Sequence, residues 1–88
     1  MNATNSWTVE VSFEENPETT EAEAVLDLGG RRFGGWGRSR RNPTDADVRQ
    51  IGDELAAARA LADLSHKLLE QAVAAIESIE GQQVRVHS

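Results

Sequence analysis

The stretch that decides the fold is residues 21–38, which read EAEAVLDLGGRRFGGWGR. On either side of its first glycine pair, alternate residues differ in character, and a period of two is typical of a β-strand. The pair itself, Gly29-Gly30, predicts a two-residue hairpin turn, because the turns that join antiparallel strands favour positive φ angles. This stretch is therefore predicted to fold as an antiparallel hairpin.

The charges support one register for this hairpin. With the glycine pair as the loop, Asp27 faces Arg32 and Glu21 faces Arg38 on the outer face. Facing opposite charges contribute roughly 0.2–1 kcal/mol each, and a slip of one residue would place every side chain on the wrong face. The facing pairs on the inner face are Leu26 with Phe33, Ala24 with Gly35, and Ala22 with Gly37.

A third strand is predicted before the hairpin, followed by a turn at Asn16-Pro17, since proline lacks the donor that a ladder needs. Its apolar residues alternate with polar ones and are Trp7, Val9, Val11 and Phe13. This pattern indicates a strand with one buried face. Residues 1–6 are polar and predicted to be disordered, so a single domain is expected over residues 7–88.

A helix is predicted from about Val48 to Glu80, after a break at Asn42-Pro43 and with Thr44 as its N-cap. Gly81 is the predicted stop signal. The apolar residues form two neighbouring stripes, one of Ile51, Leu55, Ala58, Ala62, Leu69, Val73 and Ile76, and one of Leu61, Leu64, Leu68, Ala72, Ala75 and Ile79.

The predicted helix is longer than the sheet that it covers. About thirty helical residues span about 45 Å, whereas strands of eight or nine residues span about 28 Å. Either the helix bends near residues 63–66 into two helices, or its surplus apolar surface packs on a second subunit.

The alternation around Val84 and Val86 indicates a short C-terminal strand. Close approach of the helix is predicted by the small inner-face residues of the third strand, Gly35, Gly37 and Ser39.

The composition excludes several classes of protein. A chain of 88 residues with no Cys has neither disulfides nor thiolate chemistry. No apolar run approaches the ~20 residues that span a bilayer, and the polar start lacks a signal-peptide core, so a soluble, cytoplasmic protein with no membrane partner is expected. The net charge of −6 argues against nonspecific binding to nucleic acid, because phosphates repel such a molecule at long range.

Catalytic chemistry has little support in the residues. The two histidines, His66 and His87, lie far apart in the sequence and are better explained as exposed or interface residues than as a metal or acid–base site. Asp53-Glu54 lies near the start of the helix, where carboxylates stabilise its positive end. The glycine-rich segments match no phosphate-binding loop. The sequence therefore predicts that the protein is not an enzyme and has no catalytic residue, cofactor, metal site or small-molecule substrate.

One block of the chain is basic. From Arg31 to Arg49 there are six Arg and two Asp, whereas the thirty residues before Arg31 hold seven carboxylates and no Lys or Arg. Arginines can bind phosphates while an aromatic ring stacks on a base. The residues predicted to contact RNA or the ribosome are Arg32, Trp36, Arg38, Arg40, Arg41 and Arg49. The competing interpretation is that carboxylates of the preceding strand neutralise these arginines, which would then be ordinary surface.

The chain resembles an actinobacterial family of unknown function with the double-stranded-RNA-binding-domain-like (dsRBD-like) fold. The motifs that carry the resemblance are Trp7-Thr8-Val9, Arg40-x-Asn42-Pro43-x-Asp45, Ile51-Gly52-Asp53-Glu54-Leu55, and Ala58-Arg59-Ala60-Leu61-x-Asp63-Leu64. The resemblance implies a dimer whose shape has been likened to that of ribosome hibernation-promoting factors. It also implies a link to hypoxic dormancy, in which some family members are induced. This sequence departs from the family pattern at Gly34, Trp36, Arg38 and Arg41, which makes its third strand more basic.

Taken together, these patterns predict an α+β, dsRBD-like domain, with a three-stranded antiparallel sheet followed by a long or broken C-terminal helix. A homodimer is predicted, with an interface formed by Leu61, Leu64, Leu68, Ala72, Ala75 and Ile79. The leading functional hypothesis is a stress-linked protein that binds the ribosome or structured RNA through the basic strand. The alternative is a homodimeric protein–protein interaction module that binds no nucleic acid.

Overall fold

The computed structural model describes residues 3–40 and 49–87. The elements in chain order are the strands β1 (Val9–Glu15), β2 (Thr19–Asp27) and β3 (Arg32–Arg40), and the helix α1 (Arg49–His87). The strands form one antiparallel sheet in the order β1-β2-β3, so both β1 and β3 are edge strands. The predicted α+β architecture, three antiparallel strands followed by one long helix, is confirmed.

The register of the central hairpin is the predicted one. Asp27 faces Arg32 and Glu21 faces Arg38 across β2 and β3. Gly29 and Gly30 both have positive φ, at 65° and 110°, and the Gly29 N–H donates to the Asp27 carboxylate at 3.0 Å. The turn glycines and the alternation therefore determine which side chains of β3 face solvent.

The helix packs on the sheet through small residues. Gly35 and Gly37 lie directly under α1, and an added Cβ on Gly35 would collide with the backbone of Ala60 and Leu64. This confirms the predicted close approach. The buried apolar core is formed by Ala22, Ala24 and Leu26 of β2 with Ala56, Ala60 and Leu64 of α1.

The stripe of α1 that faces the sheet differs from the two apolar stripes predicted. Residues spaced by four, Gly52, Ala56, Ala60 and Leu64, are buried, whereas the large residues Ile51, Leu55 and Leu61 are exposed. A helix that approaches glycines so closely must present small side chains, because a longer side chain would hold the two backbones apart. Of the two predicted stripes, only Leu64 and Leu68 of the second therefore contact the core.

The helix is continuous past both positions where the sequence suggested a change. It is unbroken through residues 63–66 and continues through Gly81 to His87, so the predicted two-helix alternative, the stop at Gly81 and the strand around Val84 and Val86 are wrong. A single glycine inside a helix costs only about 1 kcal/mol. The predicted N-cap Thr44 lies outside the described residues.

The C-terminal part of α1 extends beyond the sheet. Thirty-nine helical residues span about 58 Å, roughly twice the length of a nine-residue strand. Its large apolar side chains are 43–62% exposed and are Leu69, Val73, Ile76 and Ile79, which we call the overhang residues. No helix in the described part of the chain combines the length and the apolar character of a membrane-crossing segment.

Candidate nucleic-acid interface

The outer face of β3 brings four of the predicted contact residues together. Because side chains alternate along a strand, this face carries Gly34 and the exposed residues Arg32, Trp36, Arg38 and Arg40, while Phe33, Gly35, Gly37 and Ser39 face α1. Of the other two predicted contacts, Arg41 lies outside the described residues, and Arg49 begins α1 with a side chain that the structure does not describe. The candidate interface therefore consists of the four residues on β3.

Trp36 has an arginine beside its ring. The Arg38 guanidinium carbon lies 5.7 Å from the centre of the Trp36 ring, and the indole is half exposed. A cation over an aromatic face contributes about 0.5–1 kcal/mol at an exposed site. A similar pair, Arg31 over Phe33 at 5.3 Å, lies at the start of the strand. Arg38 and Trp36 therefore present a combined cationic and aromatic surface.

The carboxylates of β2 form no ion pair with this arginine row. Glu21 and Asp27 face Arg38 and Arg32 in the register, yet the one ion pair among the described side chains is Lys67 with Asp63, at 3.1 Å. The guanidinium groups of Arg32, Arg38 and Arg40 thus have no carboxylate of the described residues within 4.0 Å. Arg40 faces the uncharged Thr19. The arginines remain accessible to an anion from solvent.

The outer face is divided by charge. A cleft of about 290 Å³ lies across β1 and β2 beside the basic row, and it is lined by Ser12, Phe13, Glu14, Glu21, Ala22, Glu23 and Trp36. Three of these residues are carboxylates, so the cleft repels an anion. The part of the outer face most favourable to an anion is therefore the β3 side of Trp36.

Helix side chains cap the free edge of β3. Asp63 accepts a hydrogen bond from the Trp36 N–H at 2.9 Å, Arg59 donates to the Arg38 carbonyl at 2.6 Å, and Lys67 donates to the Gly34 carbonyl at 2.7 Å. The three helix residues are spaced by four, so they lie along one side of α1. They hold in place the backbone that carries Trp36 and Arg38.

The sequence reasoning missed this capping row. Charged residues spaced by four on a helix usually lie in solvent, and the sequence-based predictions include Asp63 only at the bend over residues 63–66 and in a motif of the resembled family. The available signal was the spacing of Arg59, Asp63 and Lys67 opposite a predicted edge strand, whose unpaired N–H and C=O groups need partners. Their role becomes visible only when the helix direction across the sheet is known.

The capping carboxylate has a perturbed pKa. The Trp36 N–H, and after it the Lys67 ammonium, hold the pKa of the Asp63 carboxyl below its ordinary value of 3.8. A carboxyl whose pKa is lower in the folded state stabilises the fold above the unfolded value, and this contribution is lost as the pH falls through the folded value. The capping row is therefore an acid-sensitive contact.

We expect Asp63→Asn to reduce the acid dependence of stability. The wild-type melting temperature should fall more steeply than that of the variant as the pH drops below 3.8, because only the wild type loses a charged acceptor there. Thermal denaturation followed by circular dichroism between about pH 7 and pH 2 measures this difference. If the melting temperatures of the two proteins fall in parallel with pH, ionisation of Asp63 makes no contribution to stability.

The predicted dimer interface divides into two parts. Leu64 is buried against the sheet and Leu68 packs against the core, so Leu64 has no surface to offer a second protomer. Leu61, Ala72, Ala75 and Ile79 are exposed. Ala72 and Ala75 line a cleft of about 230 Å³ with Trp7 and Phe33. The surface open to a second protomer is therefore the outward side of the helix and the overhang residues.

No grouping of three or more His, Asp and Glu side chains within the described residues could hold a metal ion. His66 is exposed on α1, and the side chain of His87 is not described. The buried Ser39 hydroxyl donates to the Gly52 carbonyl at 2.7 Å, where it ties β3 to the first turns of α1. These polar contacts are structural.

Comparison with known proteins identifies relatives along most of the chain. The Rv2632c-like family profile matches residues 5–85. The uncharacterised protein Rv2632c of Mycobacterium tuberculosis is 45% identical over 76 residues, which cover 86% of this chain and 82% of that protein. The uncharacterised protein Mb1767 of Mycobacterium bovis is 40% identical over 80 residues, which cover 91% of this chain and 85% of that protein.

A solved structure shares the fold. The crystal structure of Rv2632c matches with a TM-score of 0.80 at 42% sequence identity, and the match covers 88% of this chain and 92% of that chain. The sequence profile extends over the sheet and most of the helix. The chain therefore belongs to the Rv2632c-like family.

Proposed function

We propose that this chain is a non-enzymatic, cytoplasmic protein that acts as a homodimer and binds structured RNA, including that of the ribosome, through the outer face of β3. The observation that carries the proposal is the arginine row. Arg32, Arg38 and Arg40 are exposed on one face, and no carboxylate of the described residues lies within 4.0 Å of them.

The row has the two components that single-stranded or looped RNA requires. Arginines bind phosphates through fixed pairs of donors, and a base can stack on an exposed aromatic ring, which contributes about 1–3 kcal/mol per base. Arg38 and Arg40 are two residues apart on the strand, or about 6.7 Å, with Trp36 next to Arg38 on the same face. The strand therefore offers phosphate and base contacts side by side.

The net charge of −6 limits this binding to low salt. Three phosphate contacts give a dependence of log K on log salt of about −2 for a single strand, which is shallow. The acidic cleft beside Trp36 adds repulsion at longer range. Two copies of the strand in one dimer would raise the apparent affinity through multivalency, without any new contact.

Dimerisation is supported by the apolar surface that the monomer leaves uncovered. The four overhang residues and Leu61 are each more than 40% exposed. Helices in proteins derive most of their stability from packing an apolar face against other elements, and the overhang residues lack such packing in the monomer. A second copy that packs along α1 supplies this contact.

The ribosome of dormant cells is the physiological setting that we propose. It follows from the resemblance of the chain to family members associated with hypoxic dormancy, and not from a contact in the structure. Ribosomal RNA offers many looped segments with unstacked bases, which are the RNA elements that proteins bind with aromatic and arginine side chains.

We expect Arg38→Gln/Arg40→Gln to weaken RNA binding about tenfold at about 50 mM salt, because two phosphate contacts are lost. The slope of log K against log salt should become shallower by about 1.4. Fluorescence anisotropy with a labelled RNA stem-loop, and co-sedimentation with ribosomes, measure both effects.

The matched control is Ala74→Glu/Ser78→Glu, which lowers the net charge by the same two units on exposed positions of α1. This control should retain the salt slope of the wild type. Equal losses in the two double variants would mean that only net charge matters, and absence of binding by the wild type at low salt would reject the proposal.

The alternative function, a homodimeric protein–protein interaction module, is favoured by the exposed Trp7 and Phe13. It predicts a protein partner that remains bound after RNase treatment and at high salt. It also predicts that charge changes on β3 leave that complex intact.

A further inference from the structure

The first strand has an edge that no other described strand or helix covers. Among the described residues, β1 pairs only with β2, and α1 packs mainly against β3 and β2. As a result, the inner face of β1 is only partly covered, and Val9 and Phe13 are 37% and 44% exposed. The edge and the apolar face beside it are both open to a partner.

The hydrogen-bond pattern determines which backbone groups lie on that edge. The Asn16 N–H donates to the Thr19 carbonyl at 3.0 Å, directly beyond the last pair of the β1–β2 ladder. Hydrogen-bonded and non-hydrogen-bonded pairs alternate along an antiparallel ladder. The N–H and C=O groups of Glu10, Ser12 and Glu14 therefore point toward β2, and those of Val9, Val11 and Phe13 point away from the sheet.

The opposite edge of the sheet, formed by β3, is protected by hydrogen bonds from α1. The outward groups of Gly34, Trp36 and Arg38 on β3 are bonded by side chains of α1. No described side chain forms a hydrogen bond to the outward backbone groups of Val9, Val11 and Phe13. An unprotected edge strand is a template for another extended segment.

We propose that the β1 edge binds, as an antiparallel fourth strand, an extended segment of a partner protein in which apolar and basic residues alternate. The apolar residues would pack beside Val9, Val11 and Phe13, on the inner face. The basic residues would lie on the outer face beside Glu10 and Glu14, and next to the acidic cleft that Glu21 and Glu23 complete. Facing opposite charges stabilise such pairs.

The charges disfavour a second copy of this chain as the occupant. Pairing β1 with the β1 of another copy would bring together two outer faces that each carry Glu10, Glu14, Glu21, Glu23 and Asp27. Like charges on adjacent strands destabilise the pair. The edge of β3 is capped by α1 and is not available to pair with β1 of another copy. The dimer proposed through the overhang residues uses a separate surface.

The test is binding of the full chain to a fluorescein-labelled peptide of sequence KVKVRVK, followed by anisotropy. The control peptide VVVKKKR has the same composition without alternation. We expect the alternating peptide to bind at least about tenfold more tightly than the control, because only its apolar and basic residues fall on opposite faces of a strand.

N-methylation of the peptide separates backbone pairing from charge attraction. In an antiparallel pair, the residues facing Val9, Val11 and Phe13 are the valines, and their N–H groups donate to β1. Methylation of the valine nitrogens should weaken binding at least about tenfold, since several ladder bonds are lost, whereas methylation of the lysine and arginine nitrogens should not. Equal or greater loss with the second peptide would overturn the proposal.

Variants of the protein provide a second measurement. Val11→Pro removes one outward N–H while the ladder to β2 is kept, because proline is tolerated on an edge strand when its nitrogen faces solvent. It should weaken KVKVRVK binding about tenfold with little change in circular dichroism. Glu10→Lys/Glu14→Lys should reverse the preference, from KVKVRVK to EVEVEVE.

Two results would overturn the proposal at the level of the protein. A charge-reversed variant that still prefers the basic peptide would exclude the outer carboxylates from recognition. Conversion of a wild-type dimer to a monomer by Val11→Pro in sedimentation velocity would show that a second copy occupies this edge. Loss of RNA binding by β3 variants leaves the peptide result unaffected, so the two proposals fail separately.

Discussion

Gly35→Ala is expected to destabilise the domain by roughly 3 kcal/mol, because overpacking a closely fitted contact typically costs about 1–3 kcal/mol or more. A Cβ at this position would collide with the Ala60 carbonyl and the Leu64 amide, which are backbone atoms of α1. No side-chain rotation can relieve such a contact, so the helix must move off the sheet. For a domain of this size, the melting temperature should fall by roughly 12–24 °C.

The matched control is the neighbouring glycine. Gly34 lies on the outer face, and nothing lies within 4 Å of a Cβ added there. Its φ is not positive, so Gly34→Ala should change stability by less than about 1 kcal/mol and can increase it, since alanine restricts the unfolded chain. Thermal and urea denaturation followed by circular dichroism compare the two variants.

A similar loss of stability in both variants would attribute the effect to glycine in a strand and not to helix contact. A stable Gly35→Ala protein would mean that α1 lies further from β3 than the structure shows. In the second case the capping row of Arg59, Asp63 and Lys67 would need a different arrangement, because it depends on the same separation of helix and strand.

Ile76→Glu is expected to convert the proposed homodimer to a monomer. Ile76 is 55% exposed in the monomer and lies near the middle of the overhang residues, where a second helix would bury it. A carboxylate without a partner in an apolar interface costs several kcal/mol, so the dissociation constant should rise at least about a hundredfold. Because Ile76 lies beyond the core, the monomer should remain folded.

Sedimentation velocity at concentrations from about 1 to 100 μM measures this change. The wild type should sediment with twice the chain mass of 9.6 kDa, and the variant with the chain mass itself. The control is Ala74→Glu, which adds the same charge two residues away and about 200° around the helix. A wild type that is monomeric throughout this range, or a control that dissociates equally, would contradict the overhang as the interface.

The local features of the sheet could be predicted from the sequence. The alternation in residues 21–38 and the two turn glycines specify a hairpin whose register follows from nearest neighbours, and that register places Trp36 and Arg38 on one face. The small residues Gly35 and Gly37 also predicted that the helix packs close to β3. Such signals act over a few residues, so a single sequence contains them in full.

The position of the helix on the sheet could not be predicted in the same way. The sequence offers two apolar stripes, and the helix instead contacts the sheet through small residues such as Ala56 and Ala60, which allow the closest approach, together with Leu64 and Leu68 of the second stripe. Gly81 carried a stop signal, yet the helix continues because one glycine costs less than the intrahelical bonds that follow it. Packing therefore determines which face of the helix contacts the sheet, and helix cooperativity explains why the helix continues past Gly81.

By itself, the sequence determined the three strands, their register and the row of arginines on β3, because strand alternation and turn chemistry are local. Only the tertiary structure decided that these arginines form no ion pair with their facing carboxylates, that Arg59, Asp63 and Lys67 protect the edge of β3, and that no described side chain protects the edge of β1. The protection of β3 depends on contacts between residues 21 to 33 positions apart, which helix direction and packing establish together.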